Sequence, residues 1–138
     1  MKNKVIIITG ASSGIGKALA IQLSQRGNKL MLASRNHDKL KNVVDKLNIK
    51  NKNIIGYPTN VGNAGDCLNL INHCINKFGR IDVLINNAGI SMRAIFNEVN
   101  LEVIEKVMKT NFWGTVYCTK YALPYLLKSH GSLIGISS

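Results

Sequence analysis

An α/β domain built on a doubly wound parallel sheet is the fold class that this chain predicts. Two observations carry that reading. Short apolar runs alternate with stretches of helical spacing along all 138 residues, and such alternation means crossover units with helices on both faces of a parallel sheet. The runs are also continuously apolar, as in Val5-Ile6-Ile7-Ile8 and Val83-Leu84-Ile85. Strands buried on both faces read this way, whereas half-exposed strands alternate.

The elements follow in order. A first strand is expected near 4–9, and TGASSGIGK at 9–17 carries the chain into a helix near 14–26. Gly27 falls where a helix C-cap belongs. A second strand near 29–34 is followed by a helix near 37–48, a third strand near 53–58 and a helix near 63–78, with Gly79 at its C-cap position. A fourth strand near 82–86 precedes a long helical pattern over 100–128, expected to break near Asn111. Pro124 should kink that pattern or mark its final turns. The last strand is expected near 132–137. The chain contains no internal repeat, low-complexity tract or linker, so 1–138 reads as a single domain. In such a fold the ligand crevice lies beyond the carboxyl ends of the strands, at the point where strand order reverses. The loops after residues 9, 34, 58 and 86 are therefore the places to look.

Composition narrows the function classes. With 46% apolar and 18% charged residues the chain is of soluble globular type. No apolar run approaches the ~18 residues of a membrane span, and no membrane partner is expected. The opening MKNKVIIITG has too short an apolar run for a signal peptide and leads directly into the glycine loop. Cys67, Cys74 and Cys118 lack zinc-pair spacing and read as reduced thiols of a cytoplasmic protein. The net charge is +11, from 18 basic and 7 acidic residues. The lysines are scattered and arginines number four. A solvated basic surface that helps draw in an anionic ligand explains the charge better than nucleic-acid binding does, and no nucleic-acid partner is expected.

Two phosphate loops compete for TGASSGIGK. A P-loop requires a glycine at 11 and Ser or Thr at 18, but both positions are Ala, so the ATPase reading fails. The G-x-G-x-x-G form fails too, because residue 12 is Ser; the pattern present is T-G-x-x-x-G-x-G, with Gly10, Gly14 and Gly16. Gly10 permits the turn off the strand, Gly14 lets backbone approach pyrophosphate, and Gly16 allows close packing of helix on sheet. The helix N-terminus at Gly14-Ile15-Gly16 then offers free N–H groups to an anion, and Ser12 and Ser13 can add hydroxyl donors.

After the second strand stands Ala33-Ser34-Arg35-Asn36, where dinucleotide folds hold the adenosine ribose. An acid there would bond the 2′-hydroxyl, yet the nearest is Asp38. Arg35 instead offers a planar, doubly donating cation suited to phosphate. That favours NADP(H) over NAD(H). At the end of the fourth strand Asn86-Asn87-Ala88-Gly89 forms a small-residue turn that a ribose or nicotinamide could approach closely.

TGASSGIG at 9–16, NNAG at 86–89, Asn111 within MKTNFWGT and Ser138 within GSLIGISS together resemble the short-chain dehydrogenase/reductase family, in order and in register from residue 4 to 138. GRIDVLINNAG at 79–89 is especially close to the family's form. The resemblance implies a Rossmann-type fold, incomplete at its C-terminal side, and an NADP-dependent oxidoreductase interconverting an alcohol and a ketone or aldehyde, without metal. By that resemblance Gly10, Ser12, Ser13, Gly14, Ile15 and Gly16 hold pyrophosphate, and Ser34 and Arg35 hold the 2′-phosphate. Asn60 and Val61 lie against adenine, with Asn60 standing where the family has Asp. Asn87, Ala88 and Gly89 line the nicotinamide side. Asn111 is the active-site asparagine that anchors a water in the proton relay, and Ser138 bonds the substrate oxygen, with Ser137 the alternative one residue earlier. The resemblance also implies a homo-oligomer through the helix near 111–128.

One part of the family pattern is missing. Its general acid/base is the tyrosine of Y-x-x-x-K, whose pKa is lowered by the lysine and the cofactor. Four residues after Tyr57, Tyr117, Tyr121 and Tyr125 come Val61, Tyr121, Tyr125 and Ser129, so none fits. The family places that motif about a dozen residues beyond the serine matched by Ser138. The expectation is therefore a truncated, N-terminal cofactor-binding part that does not catalyse alone at a family-like rate. A non-catalytic dinucleotide-binding module, or a decayed enzyme, is the alternative.

Overall fold

The structure, a computed structural model, describes residues 1–137. Five strands, β1 (Val5–Thr9), β2 (Lys29–Ser34), β3 (Ile54–Pro58), β4 (Val83–Asn86) and β5 (Ser132–Gly135), form one sheet in the order β3-β2-β1-β4-β5. All four pairings are parallel, with Ile7 beside both Met31 and Leu84. The connections are α1 (Gly14–Ser24), α2 (His37–Asn48), α3 (Ala64–Phe78), α4 (Leu101–Met108) and α5 (Gly114–Ser129), the last two joined by a π-helical turn at Lys109–Trp113. This is the doubly wound α/β architecture that the alternating pattern predicts.

Strand geometry explains the continuous apolar runs. Val5 and Ile7 point into a core shared with Cys67, Leu70 and Ile71 of α3 and Cys118, Ala122 and Leu126 of α5. Ile6 and Ile8 point the other way, into a core with Ala20 of α1 and Leu40 and Val43 of α2. β1 is thus buried at every position, and apolar from Val5 to Ile8, because it is covered on both faces. Burying each isoleucine completely stabilises the fold by roughly 1.5–3 kcal/mol.

The opposite end of the sheet is fastened by polar groups. Asp82 is buried and accepts Val5 N–H at 2.9 Å, while Arg80 donates to its second oxygen from Nη2 at 2.6 Å. Together they lock the amino ends of β1 and β4 together.

Helix ends match the sequence reading with one shift. Gly79 closes α3 at φ +76° and donates to Ile75 O at 2.8 Å. α1 ends earlier than expected, capped by Gln25 in helical conformation, and Gly27 (φ +70°) makes the following turn instead. The break near Asn111 is a π turn that α5 continues with its axis uninterrupted by loop, and α5 runs past Pro124 to Ser129. Tyr117, Tyr121 and Tyr125 pack, half-buried, against the α3 side of the core. The three cysteines are buried and free. Burial pushes the Cys74 thiol up to about 12. No helix among the described residues is long and apolar enough to cross a membrane.

Candidate functional site

Strand order reverses at β1, whose neighbours β2 and β4 are reached by connections on opposite sides of the sheet. The crevice beyond Thr9 and Asn86 is where such a fold takes a ligand. The chain turns there at Gly10 (φ +67°), where a Cβ would lie 2.9 Å from both Ala88 Cα and Asn87 Nδ2. Only glycine fits that conformation and that gap together. The turn is held to β2 by Ala11 N–H donating to Ala33 O at 3.1 Å. Ser12 Oγ and Ser34 Oγ lie 2.7 Å apart, so a hydroxyl bridge ties the glycine turn to the end of β2.

α1 differs from its neighbours in one respect that bears on ligands. α2 and α3 are capped by Asn36 and Asn63, which accept from Lys39 N–H and Asp66 N–H, and each carries an aspartate in its first turn. α1 begins at Ser13 with no side-chain cap and has no acid in its first turn. Among the described residues, no side-chain cap or first-turn acid answers its leading N–H groups and partial positive charge. Gly14 has φ +52° and open space where a side chain would stand, and Ile15 is exposed. Gly16 is the opposite case: a Cβ there would collide with Gly10 O and come within 2.5 Å of Asn87 Nδ2. Gly14 therefore leaves room for something outside the chain, and Gly16 leaves room for the chain itself.

The other lip is the turn after β4. Thr9, which the sequence reading gave no role, holds it. Buried at 2% exposure, Thr9 accepts from the backbone N–H of Asn87 and of Ala88 through Oγ1, both at 3.0 Å, and donates to Ile85 O. Asn87 Nδ2 returns to Thr9 O at 3.0 Å and Gly10 O at 3.3 Å. Asn86 is buried and donates to Thr119 Oγ1 of α5 at 3.0 Å. The sequence signal for Thr9 was a hydroxyl residue ending an apolar strand directly before the turn glycine.

Asn111 sits in the π turn, where its side chain clamps one residue: Oδ1 accepts Ile90 N–H and Nδ2 donates to Ile90 O, both at 2.9 Å. Its own carbonyl accepts from Thr115 Oγ1 at 3.2 Å. Gly89 lies alongside, with Asn111 Oδ1 3.6 Å from where its Cβ would be. Asn111, Gly89 and Ile90 thus form one unit at the crevice edge.

The remaining predicted positions separate by environment. Ser34 is half-buried and Arg35 exposed just beyond it. The exposed Asn60 folds its side chain back to accept Gly62 N–H at 3.1 Å. Val61 is buried in the core, against Gly114. Ser138 lies outside the described residues.

A family model described as short chain dehydrogenase matches residues 4–138. The chain belongs to that family. It is 42% identical over 137 residues to 11-beta-hydroxysteroid dehydrogenase A of Arachis hypogaea, and 40% identical to 11-beta-hydroxysteroid dehydrogenase-like 2 of Arabidopsis thaliana. Each alignment covers 98% of this chain but only 39% and 44% of those relatives, so the chain spans less than half their length. Among solved structures, a short chain dehydrogenase/reductase of Burkholderia phymatum in complex with NAD superposes with TM-score 0.96 at 29% identity, over 99% of this chain and 50% of that one. An alcohol dehydrogenase of Thermococcus sibiricus complexed with 5-hydroxy-NADP gives 0.92 at 28% identity, over 96% and 57%. The family is one of oxidoreductases, and these two neighbours of the same fold are complexed with NAD and with 5-hydroxy-NADP.

Proposed function

We propose that this chain binds NADP(H) across the carboxyl ends of β1, β2 and β4, and belongs to an oxidoreductase that interconverts an alcohol and a ketone or aldehyde. The observation that carries the reading is the start of α1: unlike α2 and α3, it has neither acid nor side-chain cap in its first turn, and it opens beside a Gly14 with empty space. That donor set suits a pyrophosphate. In this reading Gly10, Ser12, Ser13, Gly14, Ile15 and Gly16 hold it. Ser34 and Arg35 meet the 2′-phosphate, and Asn60 with the backbone of Val61 meets adenine. Asn87, Ala88 and Gly89 line the nicotinamide side. Asn111 anchors a water of the proton relay and Ser138 bonds the substrate oxygen; because the Asn111 side-chain amide is committed to Ile90, its backbone carbonyl, which also accepts from Thr115 Oγ1, would hold that water through its second lone pair.

When bound, the nicotinamide supplies or accepts the hydride. The proton needs a separate donor, and no tyrosine among these 138 residues stands four before a lysine. These residues alone therefore bind without family-like turnover, since a positioned acid/base contributes about 10²–10⁴-fold. Leu101, Phe112, Trp113, Leu123 and Leu127 are exposed along α4, the π turn and α5, which supports self-association through this region. Three free, buried thiols support a reducing compartment such as the cytoplasm.

The test is a titration with NADPH and NADH, followed through the single tryptophan, Trp113. NADPH should bind about 10- to 100-fold more tightly, as one hydrogen bond to a charged group allows. Arg35→Asp should reverse the order. Tighter binding of NADH by the wild type, or binding of neither, would overturn the proposal.

A further inference from the structure

Basic residues that are scattered along the sequence gather in the fold. Because all strand pairings are parallel, the five strands begin at one end of the sheet. Backbone pairing holds those beginnings level: Lys4 O accepts Lys29 N–H, Asn53 O accepts Leu30 N–H and Asp82 O accepts Ser132 N–H, each at 2.9 Å. Lys2 and Lys4 lead into β1, Arg26 and Lys29 into β2, and Lys50 and Lys52 into β3. Lys77 and Arg80 precede β4, and Lys128 precedes β5. All nine are exposed. They are half of the chain's 18 basic residues, and one of its 7 acids, the buried Asp82, lies among them. This end therefore carries +8, from nine basic residues and one acid, while the rest of the chain carries +3, from nine and six.

Local stability accounts for a small part of that charge. The helices α1, α2, α3 and α5 all end at this face. Each C-terminus carries about −0.5 of an elementary charge, so the four together offset about −2. That suits Lys77 and Lys128, which stand in last turns, and leaves an excess of about six positive charges. Among the described residues Arg80 alone of the nine pairs with an acid, Asp82. Neighbouring strands lie about 5 Å apart, inside the ~8 Å Debye length of physiological salt. The cations therefore repel one another unless a negative surface meets them.

One apolar group stands among them. Ile49, which caps α2 directly before Lys50 and Lys52, is 80% exposed. Ammonium groups around a bare apolar tip suit an anionic lipid surface, where the charges meet headgroups and the tip enters the acyl boundary. Nucleic acid is served less well. The ring at this end, Phe78, is half-buried with Lys29 Nζ 5.8 Å from its centroid, so bases find no exposed stacking platform. The helices also present their C-termini here, whereas phosphates are held by N-termini. A second copy of the same face is repelled by like charge.

We propose that this amino-end face, through Lys2, Lys4, Ile49, Lys50 and Lys52, docks the protein on an anionic phospholipid surface. It lies opposite the crevice beyond Thr9 and Asn86, so docking leaves the crevice open. No helix among the described residues is long and apolar enough to cross a membrane, and the attachment is to the surface.

Co-sedimentation of the full chain with vesicles tests this. Vesicles of phosphatidylserine mixed one to two with phosphatidylcholine should bind it, and vesicles of phosphatidylcholine alone should not. Binding should fall steeply between about 0.1 M and 1 M salt, as the Debye length shrinks from about 10 to 3 Å. Lys50→Gln with Lys52→Gln, or Lys2→Gln with Lys4→Gln, should weaken it about 10- to 30-fold, as two charges near such a surface allow. Ile49→Ser should weaken it about three- to tenfold. The pair Lys106→Gln with Lys120→Gln removes the same charge from α4 and α5 and should change binding by less than about threefold. All these lysines are exposed and none pairs with an acid among the described residues, so thermal melts of the variants should match wild type. Equal loss in the Lys106 and Lys120 pair would overturn the proposal, because the attraction would then belong to net charge and not to this face. Absence of binding to the anionic vesicles would overturn it outright. An RNA duplex that binds more tightly than the vesicles, and is lost with the same lysine pairs, would reassign the face to nucleic acid. Full vesicle affinity in Ile49→Ser would refute the seating of the α2–β3 loop in the lipid.

Discussion

Gly16→Ala and Gly14→Ala form a pair that separates packing from ligand space. At Gly16 the new methyl group would collide with Gly10 O and lie 2.5 Å from Asn87 Nδ2. Either the β1–α1 turn shifts or Asn87 swings away from Thr9 O and Gly10 O. Overpacking of this kind costs about 1–3 kcal/mol, and a lost hydrogen bond adds about 0.5–1.5 kcal/mol. Together these give roughly 2–4 kcal/mol. A chain of 138 residues has an unfolding entropy of about 290 cal/mol/K, so each kcal/mol moves the melting temperature by about 3.4 °C. Gly16→Ala should therefore melt about 7–14 °C lower. At Gly14 the methyl meets nothing within 4 Å, and the cost is the left-handed backbone alone, about 1–2 kcal/mol, or roughly 3–7 °C. Its larger effect should be on NADPH, weakened at least tenfold where the methyl stands in the ligand's path. Thermal melts by circular dichroism, with and without NADPH, read both. A Gly16→Ala melt within 2 °C of wild type would refute the packing argument, and a Gly14→Ala protein with normal NADPH affinity would refute the ligand-space argument.

Thr9→Val keeps the shape but strands the N–H groups of Asn87 and Ala88; it should cost about 2–4 kcal/mol, seen as a lower urea midpoint, and a cost under 0.5 kcal/mol would show that water replaces the hydroxyl. Asn111→Ala removes both bonds to Ile90, so hydrogen exchange at the Ile90 amide should speed by roughly tenfold or more while amides of β1 keep their protection; unchanged exchange at Ile90 would mean the clamp holds nothing. Cys74 keeps its proton in the folded state up to about pH 12 but loses it near 9 when unfolded. Its contribution is constant below pH 9, and stability then falls as pH rises towards 12, by about 2 kcal/mol at pH 10.5. Urea midpoints of wild type and Cys74→Ala at pH 7, 9 and 10.5 should converge as pH rises, and a constant difference would contradict the assignment.

Much of the fold was legible because its signals are local. Continuous apolar runs mark strands covered on both faces, and the run Val5–Ile8 became β1 with every side chain buried. Gly10 and Gly16 were legible for a related reason: a turn off a strand and a helix pressed onto a sheet both exclude a side chain wherever they occur. Gly27 misled by two positions because a left-handed glycine can cap a helix or make the turn after it, and only the path into β2 chooses between them. The family itself was also legible, since its motifs are short strings whose spacing follows from the alternation of strand and helix. What the sequence could not supply was contact between residues far apart in the chain. Thr9 reaches Asn87 and Ala88 across 78 and 79 positions, Ser12 meets Ser34, and Lys17 faces Lys39 across a groove that neither helix defines alone. Residue types and periodicity determined the strands, the helices and the glycine turn. The clasp at the strand ends and the charge gathered beside it were decided only in the tertiary structure, because parallel strands become neighbours through crossovers whose packing no local pattern records.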